Sequence, residues 1–265
     1  MECTFCSSRT GRSQGQKYRM RSPGNIVDEI KFFYQRDNVT VFNFMDLAFP
    51  LVKKHALEFC QLLISSGLNK SIRWVCELRV KPLDRELVSL MKKSGCARVC
   101  FGIESGNDET LKKIKKGFTR NDIIKAVELC KKEALEVDGM FMMGLPGEDF
   151  EKIDQTIQLA IDLDLRFAMF NLFVPYPGCD LYEELKVQDK LHFKDWSDFV
   201  SYPTYSGGEP VYVPQGLTKE KLMKKQAQAM KRFYFCPKFI IRQIKNFKMN
   251  HIGHYLSGLR ALLSK

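Results

Sequence analysis

The sequence has no uninterrupted apolar run approaching the roughly 18 residues of a bilayer-crossing helix, so a membrane-spanning protein is not expected. It also lacks the profile of a secretory signal peptide: the first apolar run is short and polar residues follow at once. Histidine is scarce. His55, His192, His251 and His254 are the only ones, and none stands at zinc-site spacing from a cysteine pair. No internal repeat, low-complexity tract or nucleic-acid-binding motif is visible, which leaves an ordinary globular reading with no specific nucleic-acid partner. Acidic residues almost vanish near the C-terminus. Residues 216–265 hold twelve Lys/Arg against one acid, Glu220, a surplus of eleven that equals the net charge of the whole chain. Residues 1–215 are therefore balanced, and the basic character belongs to the C-terminal segment alone.

What remains is a 265-residue chain with an ordinary hydrophobic fraction of 45%, enough for one large domain or a domain with an appendage. The nine cysteines are odd in number and mostly set among apolar neighbours, which does not read as a disulfide framework. A reducing compartment and a cytoplasmic location are expected. Cys60, Cys76, Cys96, Cys100 and Cys130 read as small core side chains. Met140, Met142 and Met143 read as core packing.

From residue 23 onward, helical and extended patterns alternate. The spacing predicts helices at Pro23–Gln35, Leu51–Ser66, Leu83–Lys93, Asp108–Lys116, from Thr119 to about Ala134, and Phe150–Leu163. Between them lie β-branched and aromatic runs at Val39–Met45, Ile72–Leu78, Ala97–Ile103, Val137–Met143 and Phe167–Phe173. Near-continuous apolar strands separated by helices predict a parallel sheet buried on both faces. Beyond residue 179 the alternation stops, and helices are expected at about 179–188, 218–234 and 236–262.

Active-site groups of parallel β/α folds collect just past the carboxyl ends of the strands. Asp46 stands there after the first run, and Glu77 and Arg79 after the second. Glu104-Ser105-Gly106 follows the third, Gly144-Leu-Pro-Gly-Glu148 the fourth, and Pro175-Tyr-Pro-Gly178 the fifth. Cys3-Thr-Phe-Cys6 precedes them all, where it would follow a strand upstream of Met1. Its C-x-x-C spacing lets one loop present two thiolates to one metal centre. A zinc or dithiol site is the other use of such a pair, and the spacing of the remaining ligands disfavours it. Blander uses exist for the rest. Asp46, Glu77 and Arg79 could form a rim ion network, Glu104 and Lys116 a surface pair, and the Gly-Leu-Pro-Gly segment a simple turn. Cys179 faces the same end, where a reactive thiol or substitute ligand competes with the commoner use of a loop cysteine as an unligated side chain.

The ordered set resembles the radical S-adenosylmethionine (SAM) superfamily. Cys3, Phe5 and Cys6 match the last two cysteines and the intervening aromatic of its C-x3-C-x-(aromatic)-C loop. The first cysteine of that loop would lie upstream of Met1, as would the first barrel strand, so a barrel truncated at its N-terminus is expected. In the family, three cysteines hold a [4Fe–4S] cluster whose open iron is chelated by SAM. The resemblance implies SAM contacts at Phe5, Asp46, Glu77, Arg79, Glu104, Ser105, Lys116 and Gly144, and cluster ligation by Cys3 and Cys6. It covers about residues 3–185 and looks most like the subgroup whose full-length members carry an N-terminal cobalamin-binding domain, so any cobalamin would come from a domain outside this sequence.

The resulting expectations are as follows. The fold is α/β, a partial (β/α)6 TIM-like barrel lacking its first strand, over residues 1–185. Residues 186–265 form a basic helical extension. The function is reductive cleavage of SAM for radical chemistry or methyl transfer on an unknown small-molecule or lipid substrate, with electrons from a flavodoxin or ferredoxin type of donor. The competing reading is a non-catalytic remnant that keeps the barrel for binding only. The basic, aromatic-interleaved tail (Phe233-Tyr-Phe, Phe239-Ile-Ile, Phe247, Tyr255) is expected to pack helices on the barrel with a solvated basic face, with peripheral membrane contact as the second reading.

Overall fold

The computed structural model describes residues 3–7, 19–46, 48–49, 52–245 and 252–263. The expected helix start at Leu51 and the tail aromatic Phe247 lie outside these residues, as does the side chain of Tyr255. In chain order the elements of the body are α1 (Pro23–Asp37), β1 (Val41–Phe44), α2 (Lys53–Ser65), β2 (Arg73–Leu78), α3 (Arg85–Lys93), β3 (Cys96–Glu104), α4 (Asp108–Lys113), α5 (Arg120–Lys132), β4 (Glu136–Met143), α6 (Phe150–Asp162) and β5 (Phe167–Leu172). There follow α7 (Asp180–Val187), α8 (Pro203–Ser206), α9 (Lys219–Tyr234), α10 (Pro237–Lys245) and α11 (Ile252–Leu263).

The five strands pair in parallel, and their spatial order is their chain order. A doubly wound sheet would reverse direction at a switch point; an unreversed order is that of a singly wound barrel. The helices that follow β2, β3 and β4 start where a side chain caps the first turn. Asp84 accepts from Leu87 N (3.0 Å), Asn107 from Thr110 N (2.9 Å) and Asp149 from Lys152 N (2.8 Å). Thr119 and Asp122 form a reciprocal capping box on α5. These caps fix helix entry at the carboxyl end of the sheet, which is where the site is built.

Aromatic side chains fill the interior. Phe44, Phe49, Phe59 and Trp74 pack edge-on or stacked, with the Phe44 and Phe49 centroids 4.0 Å apart. Phe141 stacks on Phe170 beneath the other end of the sheet. The nine cysteines, all among the described residues, form no disulfide. Burial pushes the Cys60 and Cys130 thiols up to about 12, so both are inert core groups, as expected.

The C-terminal segment packs on the barrel through α9. Leu222, Ala229 and Phe233 of α9 belong to the same apolar core as the sheet. The amide of buried Gln226 donates to Phe170 O (2.9 Å) and Ser201 O (3.0 Å), and Tyr234 Oη donates to Ala168 O (2.9 Å). Leu172 N also donates to Ser201 O (2.9 Å), so the outer edge of β5 is covered. The basic charge of α9 sits on its other faces. Among the described residues no helix is long and apolar enough to cross a membrane.

Candidate active site

The site begins with a loop of five described residues. Cys6 N donates to Cys3 O (3.2 Å), a turn that brings both cysteines to one side. Thr4 anchors the turn: its N–H donates to Ile114 O (3.1 Å) and its carbonyl accepts from Leu181 N (3.0 Å). The loop is thereby fixed between α4 and α7. Cys3 and Cys6 line a cavity of about 190 Å³ together with Phe5. Its opposite wall comes from the ends of β2 and β3 and from the turn after α4: Glu77, Arg79, Gly102, Glu104, Lys116 and Phe118. Seven of the ten residues named from the sequence thus meet in one place.

Strand β3 is bent to serve this cavity. The register with β4 shifts between Gly102 and Glu104, and Glu104 takes a left-handed φ of 67°. A bulge with a non-glycine residue in this region costs local strain and re-aims a side chain, a combination found at functional sites. Here it turns the Glu104 carboxylate onto Lys116 Nζ at 2.7 Å, with only 10% and 13% of the two side chains exposed. Lys116 also lies over the Phe5 ring (5.2 Å) and the Phe118 ring (5.7 Å). This is a buried, aromatic-flanked pair rather than the surface pair that sequence alone allowed. Gly102 makes room for it, because a Cβ there would stand 2.7 Å from Glu104 Oε1.

The electrostatics are mixed. Burial pushes the Cys3 thiol up, opposed by the charge of Lys116; Cys6 and Glu104 add to the rise and Arg79 opposes it. Burial also raises the Glu77 carboxyl, with the Glu104 charge contributing. Among the described residues no ion pair joins Glu77, Arg79 and Asp46, so the rim network is not formed.

Three expected contacts fall elsewhere. Asp46 lines a separate cavity of about 470 Å³ between α1 and β1, together with Arg21 and His55. Ser105 is fully buried and faces inward, its hydroxyl 3.4 Å from Glu148 Oε1 and 3.2 Å from Thr156 Oγ1. The Gly144 N–H is taken by Glu148 Oε2 (2.9 Å), and a Cβ at Gly144 would meet Leu222 Cδ2 at 2.9 Å. Cys179 is the N-cap of α7, its sulfur accepting from Tyr182 N (3.3 Å), and burial raises its thiol; this is a structural use that leaves it outside the cavity wall.

Sequence reasoning missed the role of Glu148. Its carboxylate accepts from Gly144 N and Leu145 N (3.0 Å), locking the turn after β4, and the signal was its place four residues after Gly144. Burial pushes this carboxyl up to about 7, against the pull of the Leu145 and Gly144 amides and the Ser105 hydroxyl. The unfolded carboxyl loses its proton near the ordinary 4.5, so between these values the folded state holds the extra proton. Stability therefore falls as pH rises through that window, by on the order of 3 kcal/mol for this group. Urea midpoints measured from pH 4.5 to 7.5 will show this component in the native chain and not in Glu148→Gln.

A [4Fe–4S] cluster needs more than this loop offers. Among the described residues no group of three or more His, Cys, Asp or Glu could hold a metal ion. Cys3 and Cys6 fit as two of the ligands, and the buried Thr4 hydroxyl beside them has no hydrogen-bond partner among those residues, leaving a donor for a sulfur acceptor.

Comparison with known proteins gives the family. Residues 1–160 match the Radical SAM superfamily. An uncharacterized methyltransferase of Pyrococcus horikoshii is 31% identical over 98% of this chain and 54% of its own length. The anaerobic magnesium-protoporphyrin IX monomethyl ester cyclase of Cereibacter sphaeroides is 26% identical over 88% of this chain and 36% of its own length. The chain thus spans about half, or less, of the length of these curated relatives. The structure of the radical SAM methyltransferase TsrM from Kitasatospora setae, with cobalamin and a [4Fe–4S] cluster bound, superposes with a TM-score of 0.61 at 22% identity, over 65% of this chain and 33% of that one. The α/β fold, the cysteine loop and the matched residues lead to one assignment: this chain belongs to the radical SAM superfamily.

Proposed function

We propose that this chain is the SAM-binding barrel of an enzyme that cleaves SAM reductively to drive radical chemistry or methyl transfer on a small organic molecule. The observation that carries the reading is the single cavity shared by the two thiols and the Glu104–Lys116 pair. A [4Fe–4S] cluster held in part by Cys3 and Cys6 would supply the electron. Lys116 suits the methionine carboxylate of SAM, because a charge-assisted hydrogen bond gains strength where Phe5 and Phe118 exclude water. Glu104, released from Lys116, is an acceptor for ribose hydroxyls or the methionine ammonium. Arg79 and Glu77 stand at the same wall and present one charge of each sign to a polar ligand.

The relatives named as methyltransferase and cyclase support an organic substrate that is methylated or cyclised. Methyl transfer would draw on a cobalamin held outside the described residues, as in the TsrM structure. A flavodoxin or ferredoxin type of protein in the cytoplasm would serve as reductant.

The test is anaerobic incubation of the chain with iron, sulfide, a reductant and SAM, followed by chromatography for 5′-deoxyadenosine. SAM-dependent product supports catalysis. The two-thiol donor set favours a second reading, a barrel that binds without cleaving. SAM binding by calorimetry with no 5′-deoxyadenosine, even in a chain extended upstream to supply a third thiolate, would establish that reading instead.

A further inference from the structure

We propose that α10 is a docking surface for the anionic face of a lipid bilayer. This helix, Pro237–Lys245, is fastened to the barrel along one side. Arg242 Nη1 donates to Asp164 Oδ1 at 2.6 Å, and Nη2 donates to Leu165 O at 2.5 Å. The Phe239 ring packs against Tyr234 (centroids 4.9 Å apart) and Phe233 (5.6 Å). At about 100° per residue, Phe239, Arg242 and Gln243 share this attached side. Pro237, Ile240, Ile241 and Ile244 then fall on an arc about 100° wide on the opposite side.

That arc is open. Ile240, Ile241 and Ile244 are 40%, 52% and 69% exposed. A row of isoleucines held outward by a pinned helix differs from singly scattered surface apolar groups, which need no explanation. Lys238 and Lys245, both exposed, flank the arc. In α11 Leu256 is 50% exposed, and no acidic residue occurs anywhere in 221–265.

Charge selects the occupant. Residues 216–265 carry the entire surplus of eleven positive charges, while residues 1–215 are balanced. A second copy docking through the same face would bring two such segments together, against their repulsion. A bilayer containing anionic lipid satisfies both halves of the surface. The isoleucines enter the headgroup–acyl boundary, and the flanking Lys238 and Lys245 meet the phosphates. The short helix gives reversible contact. None of this depends on the proposed SAM chemistry.

Vesicle co-sedimentation of the full chain tests the idea, with phosphatidylcholine vesicles with and without one-third phosphatidylglycerol. Sedimentation with the anionic vesicles, little with phosphatidylcholine alone, and release by salt are expected. Ile240→Asn with Ile244→Asn should weaken partitioning by about tenfold or more without lowering the melting temperature, since both side chains are exposed. Lys238→Gln with Lys245→Gln should weaken it by several-fold and reduce the salt dependence. Equal sedimentation of the isoleucine variant, or none of the native chain, would overturn the proposal. So would a dimer in sedimentation velocity that Ile240→Asn dissolves while vesicles go unbound.

Discussion

Cys3→Ser or Cys6→Ser will leave the protein colourless after anaerobic loading with iron and sulfide, and will reduce SAM-dependent 5′-deoxyadenosine to background. The two thiols share one turn and one cavity, and the neighbouring Cys179 thiol is committed to capping α7. A metal centre needs thiolates, and burial keeps the Cys3 proton on in the metal-free protein. Metal binding offsets that penalty; a serine hydroxyl, far harder to ionise, cannot draw on it. Because two thiolates hold a cubane cluster poorly, the native chain should load incompletely. Extending it upstream so that a cysteine completes the C-x3-C spacing ahead of Cys3 should raise iron content to cluster stoichiometry. Cys179→Ser supplies the control. Its sulfur caps α7 outside the cavity, a hydroxyl caps at least as well, and colour and turnover should persist. Visible absorbance and iron per chain read the result. Equal loading of Cys3→Ser and the native chain would remove the cysteine loop from the cofactor site.

The strands were legible because each is a short run rich in apolar and aromatic residues bounded by turn residues, although the expected burial on both faces fails at the edge strand β1, where Val41 is 64% exposed. Their ends moved by one or two residues for local reasons. Helix α1 continues to Asp37 because Asn38 takes the left-handed conformation that ends it, a stop that apolar spacing does not report. The cavity was half legible. Strand ends located Glu77, Arg79 and Glu104, but alternation could not show the bulge that aims Glu104 at Lys116. One residue later the same bulge turns Ser105 into the core, where it serves Glu148 and Thr156. The tail was legible as helices packed on the barrel with a basic outer face, but charge counting did not name the buried stripe of Leu222, Gln226, Ala229 and Phe233 at helical spacing that holds α9 to β5.

Lys116→Met will destabilise the protein by about 3–5 kcal/mol, because it strands a carboxylate in a site that water reaches poorly. Glu104 is only 8% exposed, and Lys116 is its sole ion-pair partner among the described residues. Glu104→Gln will cost less. Lys116 keeps the faces of Phe5 and Phe118, and the neutral amide can still accept its hydrogen bond. The double variant should recover most of the loss, since removing both charges also removes their desolvation, and urea midpoints of the four proteins close the cycle. Ligand binding should behave differently. If Lys116 holds the SAM carboxylate, its loss weakens SAM by about tenfold or more, and Glu104→Gln does not restore it. A purely structural pair would show coupled stability with unchanged SAM affinity. Calorimetric titration of SAM into the Glu104→Gln and Glu104→Gln/Lys116→Met proteins separates the two roles: affinity lower in the double variant than in Glu104→Gln assigns Lys116 to the ligand, and equal affinity assigns it to the scaffold.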